Sequence, residues 1–341
     1  MKMLQRTKLA ASVMLVAGIL LFVGCGQNLK DQSATQTKLV MSTVMTVTLY
    51  GENAQAGISA AFAKAQELEQ ILSAQNENSE LYQLNRTAYQ QAVSVSQTLF
   101  TVVQQSLQYC RKTNGALDCT IGAINALWGF GTNSARVPAQ EEIAPLLTER
   151  GYEQVELNEE MRTIRFLNPN ISLDFGSTAK GYAADVIKTM LEEDYQITCG
   201  LINLGGNIFT IGRKYDGKPW EIGIANPQAP SQAITSVGLI NATAVTSGNY
   251  ERYFDRDGVR YHHILNPQTG YPVENGLASV TIFSHNSMQA DALSTACYVM
   301  GVQQAMAYIE AQPEVEAIFI AQDGMITQTS GIINRTFGEV I

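Results

Sequence analysis

The residues most able to do chemistry in this chain lie in one run, from Asp174 to Asp185, with the sequence Asp-Phe-Gly-Ser-Thr-Ala-Lys-Gly-Tyr-Ala-Ala-Asp. We predict a short buried strand over 171–175 and a helix over Ala179–Glu193, with a carboxylate and Lys180 at the turn between them. A helix N-terminus with free N–H groups, a lysine and a glycine that allows close approach can bind a phosphate. An ordinary strand–turn–helix junction with a surface lysine explains the same pattern.

Asp291 and Thr295 form a second pair. They lie four residues apart on a helix predicted over 288–300, so both side chains are on one face, one turn apart. A carboxylate and a hydroxyl oxygen so spaced can both reach one hard cation. The alternative is a helix-surface aspartate with a threonine bonded back to its own helix.

His263 is the third candidate, because the unperturbed pKa of histidine suits proton transfer near neutral pH. The chain has three histidines. On a strand His262 alternates to the opposite face, and His285 falls near a predicted strand end outside the motif. The alternative is a buried histidine that holds its strand to the following Asn-Pro turn.

Seven segments of the chain together resemble the ApbE family, the FAD:protein FMN transferases. In chain order they are Met-Ser-Thr-Val-Met at 41–45, Leu-Trp-Gly-Phe-Gly at 127–131, the run at 174–185, Ile-Asn-Leu-Gly-Gly-Asn at 202–207, Trp-Glu-Ile-Gly-Ile-Ala-Asn-Pro at 220–227, the paired segments at 244–252 and 261–272, and Ala-Asp-Ala-Leu-Ser-Thr-Ala at 290–296. The matches run in family order from about residue 40 to about residue 300.

The resemblance implies an enzyme that moves FMN from FAD onto a threonine hydroxyl of an acceptor protein and releases AMP. The acceptor would be an FMN-binding domain or a membrane redox subunit. His263 would accept the proton of the incoming threonine. Asp291, Thr295 and the backbone carbonyl of Ser177 would bind Mg²⁺, and a strongly anionic chain needs such a cation to neutralise a pyrophosphate.

The resemblance also implies a set of FAD contacts. The matching positions are Met41, Ala116, Leu117, Asp118, Asp174, Lys180 and Leu265. Lys180 suits a phosphate as a point charge, and Asp174 can accept from a ring or sugar donor. Met41 and Leu265 taken alone are more typical of core positions. The backbone at Gly205-Gly206 is expected to approach either a ligand or a neighbouring strand closely.

Two residues depart from the family pattern. Ser42 stands where the family usually has glycine, and Asn266 stands where it usually has aspartate. The motifs leave two other functions open. One is an FAD pyrophosphatase, in which water replaces the threonine, and the other is a lipoprotein that binds flavin without chemistry.

The first 24 residues are predicted to be a signal peptide. Basic Lys2, Arg6 and Lys8 precede an apolar run at 9–23 that is too short for a comfortable membrane span. The run ends in Phe-Val-Gly before Cys25, which resembles a bacterial lipoprotein box. A plain signal peptide or an uncleaved anchor is the alternative.

In a lipoprotein, acylated Cys25 would be the mature N-terminus. Its acyl chains would hold the protein stably on the extracytoplasmic face of the cell membrane. The polar, aperiodic residues 25–38 are predicted to be a tether, and residues 39–341 the transferase domain.

Charge and cysteine content restrict the function further. Removal of three basic residues with the signal peptide moves the formal net charge from −9 to −12, which argues against a nucleic-acid partner.

The remaining cysteines, Cys110, Cys119, Cys199 and Cys297, show no metal-binding spacing. We expect them to be buried thiols, because a chain of this size does not need a disulfide framework.

The pattern of elements predicts an α+β fold with mixed and antiparallel sheets and packed helices. Helical spacing is clearest over Ala54–Leu72 and over 97–111 after a Ser96 cap, and strand signals dominate from residue 163 onward. Asp257-Gly258 and Asp323-Gly324 are typical of hairpin turns. The resemblance implies the same fold class.

Overall fold

The computed structural model describes residues 32–148, 151–332 and 336–338. Its helices are α1 (Ala54–Leu72), α2 (Glu80–Thr87), α3 (Gln97–Lys112), α4 (Gly122–Trp128), α5 (Gln140–Leu147), α6 (Ala179–Glu193), α7 (Ser287–Met300) and α8 (Val302–Glu310). The signal segment, Cys25 and the first part of the predicted tether lie outside the described residues.

The strands divide into one large sheet and smaller ones. They are β1 (Ser33–Val40), β2 (Thr43–Tyr50), β3 (Val93–Ser94), β4 (Val155–Asn158), β5 (Thr163–Phe166), β6 (Cys199–Leu204), β7 (Asn207–Ile211), β8 (Trp220–Asn226), β9 (Ala229–Leu239), β10 (Thr243–Gly248), β11 (Tyr253–Arg256), β12 (Val259–His262), β13 (Leu277–Ser284), β14 (Glu316–Ala321), β15 (Ile326–Gln328) and β16 (Thr336–Phe337). The large sheet has the order β1-β2-β6-β7-β10-β13-β14-β15, and each neighbouring pair is antiparallel.

The large sheet is covered on both faces. Helices α1, α6, α7 and α8 pack on one face and the β8–β9 hairpin on the other. The strand β13 is buried at all eight positions because it lies between these layers. β16 pairs with β9 in parallel, so the sheets are mixed and the predicted α+β class is confirmed.

Helices α6 and α7 cross closely, and one glycine allows it. A Cβ atom at Gly181 would lie 2.5 Å from Cα and 2.7 Å from N of Met288. Asp185, one turn further along α6, accepts hydrogen bonds of 2.7 and 2.9 Å from the N–H groups of Ser287 and Met288 and so satisfies the first turn of α7. Burial raises the pKa of Asp185 to about 6. Gly181 therefore allows helix α7 to approach helix α6 closely.

Two sequence predictions are corrected. Residues 171–175 are extended but form a single parallel bridge, Ile121↔Ser172, instead of a strand. The predicted tether is wrong over 33–38, because Ser33–Val40 forms the edge strand β1 of the large sheet and pairs with β2 along its length.

The four described cysteines are free and buried, as predicted. Within the described ranges, no helix combines the length and the apolar character needed to cross a bilayer.

Candidate functional site

A cavity of about 400 Å³ lies between the first turn of α6, the middle of α7, the loop before α4 and the segment around the end of β12. It is lined by nearly every predicted site residue: Ala116, Leu117, Asp118, Asp174, Ser177, Lys180, His263, Leu265, Asp291 and Thr295. Met41 is not among the lining residues; it packs against the main core at the β1–β2 turn. Ten of the residues predicted from the sequence therefore line one cavity, and the role of each stays a prediction.

Asp291 is a buried carboxylate residue of the cavity, with 3% of its surface exposed. Its Oδ2 accepts a 2.9 Å hydrogen bond from the N–H of Gly181, and its Oδ1 lies 3.4 Å from Nζ of Lys180. Lys180 also donates to the carbonyl of Gly176 at 2.8 Å. The lysine is thus held by two oxygens at the turn before α6, where it can meet an anionic ligand.

The residues that would hold a cation converge on the same wall. Ser177, Asp291 and Thr295 all line the cavity, and the hydroxyl of Thr295 lies 3.3 Å from the hydroxyl of Ser247. Within the described ranges, no group of three or more His, Cys, Asp or Glu side chains could bind a metal. A cation here would therefore rely on one carboxylate plus neutral oxygens. That donor set fits Mg²⁺, which keeps water ligands and shares substrate phosphates.

His263 lines the cavity with a defined tautomer. Its Nδ1 lies 3.2 Å from the carbonyl oxygen of Arg252. Because a carbonyl oxygen can only accept a hydrogen bond, Nδ1 carries the proton and Nε2 keeps a lone pair. Burial, followed by the charge of Arg252, lowers the pKa of His263 to about 3. The ring keeps part of its surface open to the cavity while protein surrounds the rest. Nε2 is consequently the ring atom of His263 that can accept a proton in the cavity.

His262 points the other way, as alternation predicted. Its Nε2 bonds the carbonyl of Val273 at 3.0 Å, and its Nδ1 accepts from the N–H of Ile264 at 3.3 Å. Both ring nitrogens are occupied, so His262 fixes the backbone that presents His263.

An aromatic cluster holds the β11–β12 hairpin in place. Trp128 is fully buried, stacks on Phe130, and contacts Phe254, Tyr261 and Tyr271. Its Nε1 donates to the carbonyl of Gly270 at 2.8 Å. The Leu-Trp-Gly-Phe-Gly segment therefore supports the strand that leads into His263.

The side chains of Asp174 and Asp118 each accept hydrogen bonds from the residue two positions further along the chain, and these bonds fix part of the cavity wall. Oδ1 of Asp174 accepts from the N–H of Gly176 at 2.8 Å. Oδ1 of Asp118 accepts from the N–H and hydroxyl of Thr120 at 2.9 and 2.6 Å. The carboxylate of Asp174 can also accept a hydrogen bond from a ligand donor.

The sequence of this chain is similar to those of a known protein family. The family model described as "ApbE family" matches residues 41–319. The chain belongs to the ApbE family. An FAD:protein FMN transferase of Treponema pallidum is 35% identical over 329 residues, covering 91% of each chain. One from Klebsiella pneumoniae is 33% identical over 293 residues, covering 86% of this chain and 90% of its own.

Solved structures of ApbE proteins have a fold similar to that of this chain. The ApbE protein of Thermotoga maritima superposes with a TM-score of 0.82 at 31% identity, covering 88% of this chain and 97% of its own. The apo flavinyl transferase ApbE of Pseudomonas stutzeri gives 0.78 at 29% identity, covering 91% and 98%.

Sequence reasoning assigned no role to some residues of this ApbE cavity. Glu251 and Arg252 line it, although they lie in a segment that carried the family resemblance. Glu251 faces the open cavity, but the surrounding walls displace bulk water and raise its pKa to about 7, against the opposing effect of Lys180. The β11–β12 hairpin folds residue 252 back beside residue 263, as the register of the predicted Asp257-Gly258 turn requires.

The sequence left open whether the backbone at Gly205-Gly206 approaches a ligand or a neighbouring strand. A Cβ at Gly205 would overlap the side chain of Thr43, so this glycine admits the neighbouring strand β2. Gly205 also lines the ApbE cavity, and both glycines have positive φ angles, of 60° and 85°.

Proposed function

We propose that this chain transfers FMN from FAD onto a threonine hydroxyl of an acceptor protein and releases AMP, with Mg²⁺ as its cofactor. One observation carries the proposal: His263 and the Lys180–Asp291 pair face the same cavity. A proton acceptor and an anion-binding cation are the two groups that attack on a pyrophosphate needs.

The chain's residues would act in one displacement. The threonine oxygen bonds to the FMN-side phosphorus while the bond from that phosphorus to the bridging oxygen breaks, and AMP leaves with that oxygen. The threonine proton passes to Nε2 of His263. Lys180 offsets charge on the phosphate oxygens, and catalysis rests mainly on this neutralisation and on in-line positioning.

Ser177, Asp291 and Thr295 would hold the divalent cation. When bound, Mg²⁺ would supply charge neutralisation at the pyrophosphate that a chain of net charge −9 does not otherwise provide. Asp291 would then exchange part of its contact with Lys180 for the cation.

The test is incubation of the purified chain with FAD, Mg²⁺ and a candidate acceptor protein, followed by mass analysis of protein and nucleotides. The expected result is AMP together with an acceptor that has gained FMN covalently. AMP with free FMN would instead identify an FAD pyrophosphatase. Bound but intact FAD would identify a flavin-binding protein without this chemistry.

We further propose that acyl chains on Cys25 hold the protein on the extracytoplasmic face of the membrane, near an FMN-binding domain or a membrane redox subunit as acceptor. The proposal rests on the basic start, the short apolar run and the Gly-Cys step. Cys25→Ser should block both lipidation and processing, so mass analysis should find a chain without acyl groups that keeps residues 1–24. A wild-type chain that carries no acyl groups in the same measurement would contradict lipidation at this residue.

A further inference from the structure

Three hydroxyl groups meet where α7 packs on β10. Ser247 belongs to β10, and Ser294 and Thr295 are neighbours on α7. The oxygen of Ser247 lies 2.8 Å from the hydroxyl oxygen of Ser294 and 3.3 Å from that of Thr295. Ser247 and Thr295 line the cavity, whereas Ser294 is fully buried. One of the three proposed cation ligands is thus in contact with two further hydroxyls of the protein, directly or through Ser247.

The direction of each hydrogen bond follows from the number of protons, because a serine or threonine hydroxyl carries only one. Ser294 donates its proton to the carbonyl oxygen of Asp291 at 2.9 Å, and a carbonyl oxygen can only accept. Ser294 therefore accepts from Ser247 across the 2.8 Å contact. Ser247 has then used its own proton, so it accepts in turn from Thr295. The proton of Thr295 consequently points toward Ser247.

This order of protons leaves the oxygen of Thr295 suited to a cation. A cation binds the lone pairs of a hydroxyl oxygen and is repelled by its proton. Because the single proton of Thr295 is directed to Ser247, the lone pairs remain for the cavity that Thr295 lines. Asp291, the carboxylate proposed for the same cation, lies one turn earlier on α7.

The arrangement differs from the alternative in which Thr295 bonds back to its own helix. A helical threonine can donate to the carbonyl oxygen four residues earlier, which here belongs to Asp291. In this chain that oxygen accepts the hydroxyl of Ser294, and the hydroxyl of Thr295 faces Ser247. Ser247→Ala would remove this acceptor, so the proton of Thr295 could turn toward the cation.

We infer that Ser247 is a positioning residue for the cation: it accepts the proton of Thr295 and leaves the lone pairs of that oxygen to the ion. Ser294 fixes the proton of Ser247 and so maintains the order. The inference rests on the proposed Mg²⁺-dependent transfer and adds to it two residues that act through Thr295. Loss of a group that orients a metal ligand typically lowers metal affinity by about 10-fold to 100-fold.

Calorimetric titration of the chain with Mg²⁺ alone measures the effect on binding. Ser247→Ala should weaken Mg²⁺ binding by about tenfold, at the lower end of that range because the 3.3 Å contact is long. During FAD turnover, the Mg²⁺ concentration for half-maximal AMP release should rise by the same factor. The rate at saturating Mg²⁺ should stay within about twofold of wild type, which a merely structural defect would not reproduce.

Ser284→Ala is the matched control. Ser284 is a buried serine of β13 whose hydroxyl donates to the side chain of Gln289 on α7 at 2.9 Å, so it also joins the large sheet to this helix. It is not among the residues that line the cavity. The control variant should lower the melting temperature but leave the affinity for Mg²⁺ unchanged.

Ser294→Ala tests the order of the protons. Without Ser294 the proton of Ser247 loses its acceptor and turns to the oxygen of Thr295, where it competes with the cation, so Mg²⁺ binding should weaken. The double variant Ser247→Ala/Ser294→Ala lacks that competing proton and should bind Mg²⁺ no more weakly than Ser247→Ala. Additive losses would contradict a role of Ser294 through Ser247.

Two further outcomes would overturn the inference. Equal Mg²⁺ affinity of wild type and Ser247→Ala would mean that Ser247 does not orient the ligand, and would leave the proposed cation site intact. A wild-type chain that neither binds Mg²⁺ nor depends on Mg²⁺ for AMP release would instead remove the proposed cation site, and the role of Ser247 with it.

Discussion

The N–H of Gly181 on α6 donates a 2.9 Å hydrogen bond to the carboxylate of Asp291 on α7. The same glycine has no room for a Cβ atom, because Met288 lies against it. One residue thus both permits the helix crossing and orients the acid of the site. The helix crossing and the position of Asp291, the acid proposed to hold the cation, therefore depend on the same residue.

Asp291→Ala should abolish turnover, while FAD binding weakens but survives. The substitution removes the only carboxylate proposed for the cation and leaves Lys180 without that partner. AMP release and FAD fluorescence measure the two effects, and Mg²⁺ binding by calorimetry reports the metal directly. Glu67→Ala on α1, an exposed acid paired with Lys64, is the control. Full activity of Asp291→Ala at micromolar Mg²⁺ would refute the metal assignment.

His263→Ala should lower turnover by about 10² or more with little change in FAD affinity, as for a lost general base. His262→Ala should instead lower the melting temperature, because it removes the bonds to Val273 and Ile264. Turnover and thermal unfolding of both variants distinguish the roles. If only His262→Ala slowed the reaction, the proton acceptor would be on the other face of the strand.

The pKa of His263 predicts a pH effect. Its folded-state value of about 3 lies below the ordinary value of 6.5, so the ring stays neutral in the folded chain between pH 5 and pH 8. Below pH 6.5 the unfolded chain binds a proton that the folded chain does not, so this residue's contribution to stability falls as the pH drops from 6.5 toward 3.

NMR of the ring protons checks this behaviour. The His263 signal, assigned by its loss in His263→Ala, should not shift between pH 8 and pH 5. His263→Gln should lose less stability than wild type over the acidic part of this range. An inflection of the ring signal near pH 6.5 would contradict the predicted burial of the neutral form.

Ser42→Gly should stabilise the protein by about 0.5–1 kcal/mol. Met41 and Ser42 form the two-residue turn between β1 and β2, with φ angles of 51° and 55° that L-residues adopt at a cost. Glycine removes that cost but loses more backbone entropy, so the net gain is small. The midpoint of urea unfolding measures it, and Ser42→Ala, which keeps the Cβ, should show no gain.

Truncation should reveal the structural role of β1. A chain that begins at residue 26 keeps the whole strand and should melt like the full domain. A chain that begins at Lys38 loses most of β1 and leaves the edge of β2 unpaired, so it should melt lower and aggregate more readily. Equal melting temperatures would mean that β1 adds nothing to stability.

The sequence predicted elements whose burial is one-sided and regular. Helix α1 has its predicted bounds because Ile58, Phe62, Ala65 and Leu68 recur on the buried face. β1 was missed because it is polar: its exposed face carries Thr35 and Thr37, whose hydroxyls bond to threonines of β2. A strand that buries so little lacks the apolar alternation on which the prediction depends.

The segment 171–175 was wrongly predicted to be a strand because it contains apolar residues. Its apolar residues are buried, but its backbone bonds to scattered partners instead of a ladder. The N–H of Asp174 donates to the carbonyl of Cys119, and that of Leu173 to the side chain of Asn85. Such contacts join distant parts of the chain. The cavity residues were predictable by family resemblance, whereas the partners that orient them were not.

The crossing of α6 and α7 also sets an order of events during synthesis. α6 begins at residue 179, but its partner α7 ends only at residue 300 of 341. A growing chain therefore exposes Lys180 and the turn before it long before Asp291 and Thr295 exist. Until α7 has left the ribosome, the unfinished chain lacks two of the three proposed cation ligands. A chain that ends before α7 therefore presents FAD with an incomplete set of the proposed cation ligands.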